Sequence, residues 1–146
     1  MARKGVIIAA KAAKDSGKTV AVRAVWKWLK EQGAKVVKEE IHEYHDPKKP
    51  DDVTAVLEYQ GIKIGISSWG DPDIDQQGTL KDFIQAGCRV IVCVCRTWGQ
   101  TRDPIDALQE SWCIRYVVRG EDGFISKDAF LDDVKKAIQG VKPGKI

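Results

Sequence analysis

The sequence predicts an α/β protein: a three-layer α/β/α sandwich around a mostly parallel sheet with one antiparallel hairpin strand. Three observations carry that expectation. Short apolar runs, Gly5-Val-Ile-Ile-Ala-Ala10 and Arg89-Val-Ile-Val-Cys-Val-Cys95, suit strands buried on both faces. These runs alternate with amphipathic stretches at helical spacing, which calls for helices on both faces of a sheet. Two further strand-like runs, 53–59 and 62–68, are joined by Gln60-Gly61, the signal of a tight hairpin.

Taken in order, a first strand over 5–10 leads through a loop, Lys11 to Gly17, into a helix over 18–32. Val22, Val25, Trp26 and Leu29 share one face of that helix, with Arg23, Lys27 and Lys30 opposite as a solvated basic face. Gly33 stands where a helix C-cap belongs. Residues 35–42 resume as a strand, completing a βαβ unit. A polar, proline-bearing loop over 45–52 precedes the hairpin, whose first strand, 53–59, is most simply placed at an edge of the sheet. Then come a loop at 71–75, a helix over 79–86 closed by Gly87, and the buried strand 89–95. Asp103-Pro104 opens a helix running through Trp112, with proline in a permitted first-turn position. A strand over 113–118 follows. Ser126 caps a closing helix that turns Phe130, Val134, Ala137 and Ile138 inward. The 146 residues fit one domain, 1–146, and one core.

Composition narrows the class. With 43% apolar and 31% charged residues the chain is globular. No apolar run approaches the roughly 20 residues of a membrane span. The apolar stretch from Val6 to Ala10 is too short for a signal-peptide core. The chain contains no Asn, hence no N-glycosylation acceptor. Cys88, Cys93, Cys95 and Cys113 lack zinc-site spacing and read as buried reduced thiols. A cytoplasmic protein is expected. Residues 1–50 hold twelve Lys/Arg against six Asp/Glu, whereas 51–146 hold twelve against fifteen. The basic half suits a bound polyanion, but no nucleic-acid-reading signature with interleaved aromatics accompanies it.

One motif carries chemistry. The loop after the first strand runs Ala12-Ala13-Lys14-Asp15-Ser16-Gly17-Lys18-Thr19, which meets the phosphate-binding pattern GxxxxGK[ST] except that Ala12 replaces the first glycine. In such a loop successive backbone N–H groups curl round a phosphate at a helix N-terminus, a lysine reaches the terminal phosphates, and the next hydroxyl holds Mg²⁺. Ala13, Lys14, Asp15, Ser16, Gly17, Lys18, Thr19 and Val20 are the expected nucleotide-binding residues.

Over residues 5–46 the chain resembles the P-loop nucleoside triphosphatases, and among them the branch of dethiobiotin synthetase and the adaptor GTPases of molybdopterin-guanine dinucleotide synthesis. The residues concerned are Asp15-Ser-Gly-Lys-Thr-Val20, Glu31-Gln-Gly33 and the stretch from Lys35 to Asp46. The resemblance implies a P-loop fold that binds a nucleoside triphosphate with Mg²⁺. Ala12 departs from it, because a Cβ at a tight turn can reshape the loop.

A metal-bound triphosphate also calls for a carboxylate at the end of a buried strand. In Ile64-Gly-Ile-Ser-Ser-Trp-Gly-Asp71, Ser67 stands in its place, so Thr19 with Asp71 or Asp46 is the expected metal set. The guanine-reading Asn/Thr-Lys-x-Asp element is missing, which favours ATP or a loosely read base over GTP. The turn Arg119-Gly-Glu-Asp122 lies where a base would sit, or is an ordinary polar turn. Arg96 and Arg102 follow the strand ending at Cys95 and suit charge stabilisation on a migrating phosphoryl group, with Lys18 completing the catalytic set. Trp69 and Trp98 either flank a planar ligand or close the core. His42 and His45 face different ways, and His45 reads as a solvated turn residue. Three functions compete: an NTPase or phosphotransferase with a second substrate or protein partner, a non-catalytic nucleotide sensor, and an interaction domain that has lost the nucleotide.

Overall fold

The computed structural model describes residues 4–11, 17–43, 45, 51–68, 76–95, 103–118 and 120–141. Its elements follow in the order β1 (Gly5–Lys11), α1 (Lys18–Glu31), β2 (Lys35–His42), β3 (Asp52–Tyr59), β4 (Ile62–Ser67), α2 (Gln76–Gln85), β5 (Val90–Cys95), α3 (Asp103–Asp106), β6 (Trp112–Val118) and α4 (Lys127–Val141). The six strands form one sheet in the order β2-β3-β4-β5-β1-β6. β4, β5, β1 and β6 run parallel, while β3 is antiparallel to both of its neighbours.

Two side-chain clusters line the sheet, sorted by the two-residue period of the strands. Ile8 and Ala10 of β1 join Val22, Val25 and Leu29 of α1 and Phe130, Val134 and Ile138 of α4. Ile7 and Ala9 join Leu80 and Phe83 of α2, Ile105 of α3 and Trp112. Gly65 lets α2 approach β4 closely, since a Cβ there would stand 2.6 Å from the Phe83 ring. Gln60 (φ 53°) and Gly61 (φ 79°) make the tight β3–β4 turn; positive φ at both positions gives the twist that matches a hairpin. It sets Thr54 opposite Ser67. Gly33 N–H and Ala34 N–H close α1 on the Lys30 and Leu29 carbonyls. Ser126 Oγ accepts from Ala129 N–H and caps α4.

Four expectations are corrected. The strand at 53–59 is not at the edge: β3 buries Val53, Ala55 and Leu57 on one face and Val56 on the other, and needs a neighbour on each side. The edge is β2, all eight of whose residues are exposed. The helix opened by Asp103 stops at Asp106, and hydrogen-bonded turns carry the chain to Trp112. Trp112 is claimed instead by β6, where it pairs with Gly5 and is buried. The basic face of α1 is not simply solvated. Arg23 donates to the Asp51 carbonyl oxygen at 2.7 Å, and Lys30 lies 3.2 Å from Glu39 and over the Trp26 ring. Finally, Cys88, Cys93 and Cys95 are buried, but Cys113 is exposed. Among the described residues no helix is long and apolar enough to cross a membrane.

Candidate functional site

The parallel strands put their carboxyl ends along one rim of the sheet, which is where ligands bind in open α/β sheets. Lys11 ends β1 there, paired with Cys95 of β5 on one side and Val118 of β6 on the other. β1 therefore ends at the rim between the ends of β5 and β6. β4 is two strand positions from β1, about 10 Å at the usual spacing, and β2 is four, about 19 Å.

Of the motif, the described residues are Gly17, Lys18, Thr19 and Val20. Gly17 is the N-cap of α1, with φ 79° and ψ 14°, a left-handed conformation that glycine adopts without a Cβ penalty. Among the described residues no side chain caps α1, and no acidic residue lies in its first turn. Lys18 and Thr19 occupy that first turn half-buried, and Val20 is exposed. Ala12, Ala13, Lys14, Asp15 and Ser16 lie outside the described residues, as do Asp46, Asp71, Arg96, Arg102, Trp69, Trp98 and Arg119.

The segment after β6 makes the other wall. Gly120 N–H donates to the Phe124 carbonyl oxygen, Gly123 N–H to the Gly120 carbonyl oxygen, and Phe124 N–H to Asp122 Oδ1 at 3.0 Å. Asp122 thus has a local structural partner in the turn where a base was expected. Phe124 and Ile125 face Gly17: a Cβ on Gly17 would stand 3.7 Å from the Ile125 carbonyl oxygen and 3.9 Å from Phe124 Cδ1. Phe124 is 55% exposed, Val118 60% and Val20 50%, so three large apolar side chains stand open on the elements bordering Gly17. Sequence reading passed over Phe124, although the Gly123-Phe124 step directly after the Gly-Glu-Asp turn marks it.

A second buried arrangement ties the rim together further along. Ser68 Oγ donates to Asp52 Oδ1 at 2.7 Å and accepts from Val53 N–H at 2.9 Å, and Ser68 N–H donates to the Val53 carbonyl oxygen. Asp52, Ser67 and Ser68 are all buried. β4 ends in Ser67 with no carboxylate, as the sequence indicates, and the buried carboxylate at that end of the hairpin is Asp52, at the start of β3. The signal was present: with Gln60-Gly61 as the turn, the hairpin register carries Ser68 to Val53, next to Asp52.

The thiols are not part of this chemistry. Burial pushes the Cys88 thiol up to about 11, a rise that Lys63 partly offsets. Burial, with Cys95 beside it, raises Cys93 strongly as well. Both remain protonated and non-nucleophilic at neutral pH. His45 is exposed and lies 3.6 Å from Glu43, a turn contact at the surface.

Compared with known proteins, the chain matches no family model, no curated protein and no solved structure.

Proposed function

We propose that this chain is a P-loop nucleotide-binding protein, a three-layer α/β/α sandwich that binds a nucleoside triphosphate, with ATP favoured over GTP, together with Mg²⁺. The observation that carries the reading is Gly17: a left-handed N-cap, between a central parallel strand and a helix that starts with Lys18 and Thr19. A phosphate at that helix start is held by backbone N–H groups and the helix dipole. Lys18 supplies a point charge to the terminal phosphates. Thr19 offers the hydroxyl that fits Mg²⁺, with Asp71 as the proposed carboxylate and Asp46 the more distant candidate. The metal would neutralise charge on the β- and γ-phosphate oxygens. Arg96 and Arg102 belong to the segment that follows β5, the strand beside β1, and are assigned to the migrating phosphoryl group.

Turnover as a small NTPase or phosphotransferase is the leading form of the proposal. Binding without turnover is the second, and Ser67 at the end of β4 favours it, because no carboxylate occupies that position. Calorimetry with ATP, GTP and a non-hydrolysable analogue, with and without Mg²⁺, separates them. ATP binding that Lys18→Ala abolishes in a folded protein is the expected result. Unchanged affinity in that variant overturns the P-loop reading. Binding with no phosphate release selects the sensor. No binding selects the interaction domain.

A further inference from the structure

β2 is the outer strand of the antiparallel half of the sheet, and one edge of its backbone has no strand beside it. Such an edge is a template for another strand, and proteins usually blunt it with charge, with a bulge, or by cover. β2 has charges and a bulge between Val36 and Lys38, yet it also exposes Val36, Val37 and Ile41 at 41%, 48% and 45%. These are half of the large exposed apolar side chains among the described residues, on one eight-residue strand.

Their order is self-complementary. Past the bulge the register with β3 is unbroken from Lys38 to His42. Residues 39 and 41, opposite Ala55 and Val53, share the α1 side of the strand, where Glu39 accepts from Trp26 Nε1 at 2.7 Å, and Val37 is the extra residue of the bulge. Residues 38 and 40 share the α2 side, where both line a cleft with Thr79, Asp82 and Phe83. An antiparallel pair of identical strands about a two-fold axis at Glu39 sets Lys38 against Glu40 twice, and brings each Ile41 to the bulge at Val37 of the other copy. Directly opposed side chains come within about 5 Å, close enough for each Lys38–Glu40 pair to interact. Like charges meet only at the axis, and each Glu39 already has Lys30 at 3.2 Å. Among the described residues, Lys38 and Glu40 form no ion pair within the protomer.

The geometry points to a homodimer in which β2 pairs antiparallel with β2 of a second copy of this chain, two-fold at Glu39, continuing the sheet from one protomer into the other. A closed isologous contact of this kind ends in a dimer and not a fibre. The inference does not depend on nucleotide binding.

Sedimentation equilibrium over a concentration series tests it, with the full chain as wild type, Lys38→Glu, Glu40→Lys and the double exchange. Both substitution sites are exposed positions on β2, and circular dichroism checks folding. Wild type is expected to be a reversible monomer–dimer system. Each single variant puts like charges opposite each other at two places, weakening the dimer by about tenfold or more. The double exchange restores opposite charges and returns the dimer to within about threefold of wild type. A wild type that stays monomeric throughout, a dimer indifferent to the single variants, or a double exchange as weak as the singles each overturns the proposal.

Discussion

β5 and β2 have much the same apolar vocabulary and opposite fates. β5, Val-Ile-Val-Cys-Val-Cys, is buried at all six positions, because β1 and β4 flank it and helices cover both of its faces. β2, Lys-Val-Val-Lys-Glu-Glu-Ile-His, is exposed at all eight, at the end of the sheet. A valine therefore contributes to stability in one strand and to surface chemistry in the other. Burying such a side chain is worth about 1.5–3 kcal/mol, and leaving it exposed gains almost none of that. The lesson extends to the rest of the exposed apolar surface. Val36, Val37 and Ile41 lie on the β2 edge, and Val20, Val118 and Phe124 on the elements around Gly17. The sheet's middle is spent on folding, and its outer edge and carboxyl rim are where apolar groups remain available to partners.

The contrast can be broken most severely in the buried strand. Ile91→Ala is expected to cost about 2–5 kcal/mol by chemical denaturation, because Ile91 is fully buried and the cavity cannot collapse between β1 and α2. The matched change Val37→Ala should stay within about 0.5 kcal/mol. Both are compared at protein concentrations where the chain is monomeric, and comparable losses at the two sites would overturn the contrast between the strands.

Asp52→Ala comes next. Removing the acceptor of a buried hydrogen bond to Ser68 is expected to cost about 1–3 kcal/mol, and more than the exposed Glu40→Ala. Denaturant midpoints of the two variants settle the order.

At the rim, Phe124→Ala should leave the denaturation midpoint almost unchanged and weaken ATP binding several-fold, since an exposed ring facing Gly17 offers stacking and not core packing. Calorimetry that finds equal affinity would remove Phe124 from the site.

The smallest effects are chemical. Iodoacetamide on the native protein should label Cys113 and spare Cys88, Cys93 and Cys95 until denaturant is added, as mass spectrometry of digests will read. The Cys88 thiol also gives a signed pH dependence. Its folded value, about 11, lies above the ordinary 9.0, so the unfolded chain loses that proton first. Its stabilising share is complete below pH 9 and falls as pH rises from 9 to 11. Melting curves of wild type and Cys88→Ala across that range should converge as the pH rises.

Much of this molecule follows from the chain read alone. The apolar runs of β1 and β5, the four inward positions of α4, the Gly33 helix stop and the Gln60-Gly61 turn are local signals. Each is set by backbone sterics or by a period of 2 or 3.6 residues, and the structure has them where that physics puts them. So too is the Gly17-Lys18-Thr19 step from loop to helix. Strand order is different, because it depends on which residues meet after the chain has folded back. Nothing local in 35–42 says that it will be the edge, and nothing local in 53–59 says that it will be enclosed. Trp112 belongs to a helix by its neighbours and to β6 by its fit against Gly5. The same non-local bookkeeping placed β5 between β1 and β4. That single choice set the end of β4 two strands away from the end of β1 and put the ends of β5 and β6 beside it. Local chemistry wrote the Gly17-Lys18-Thr19 step, and only tertiary packing, which balances burial over the whole sheet, decided which other strand ends border it.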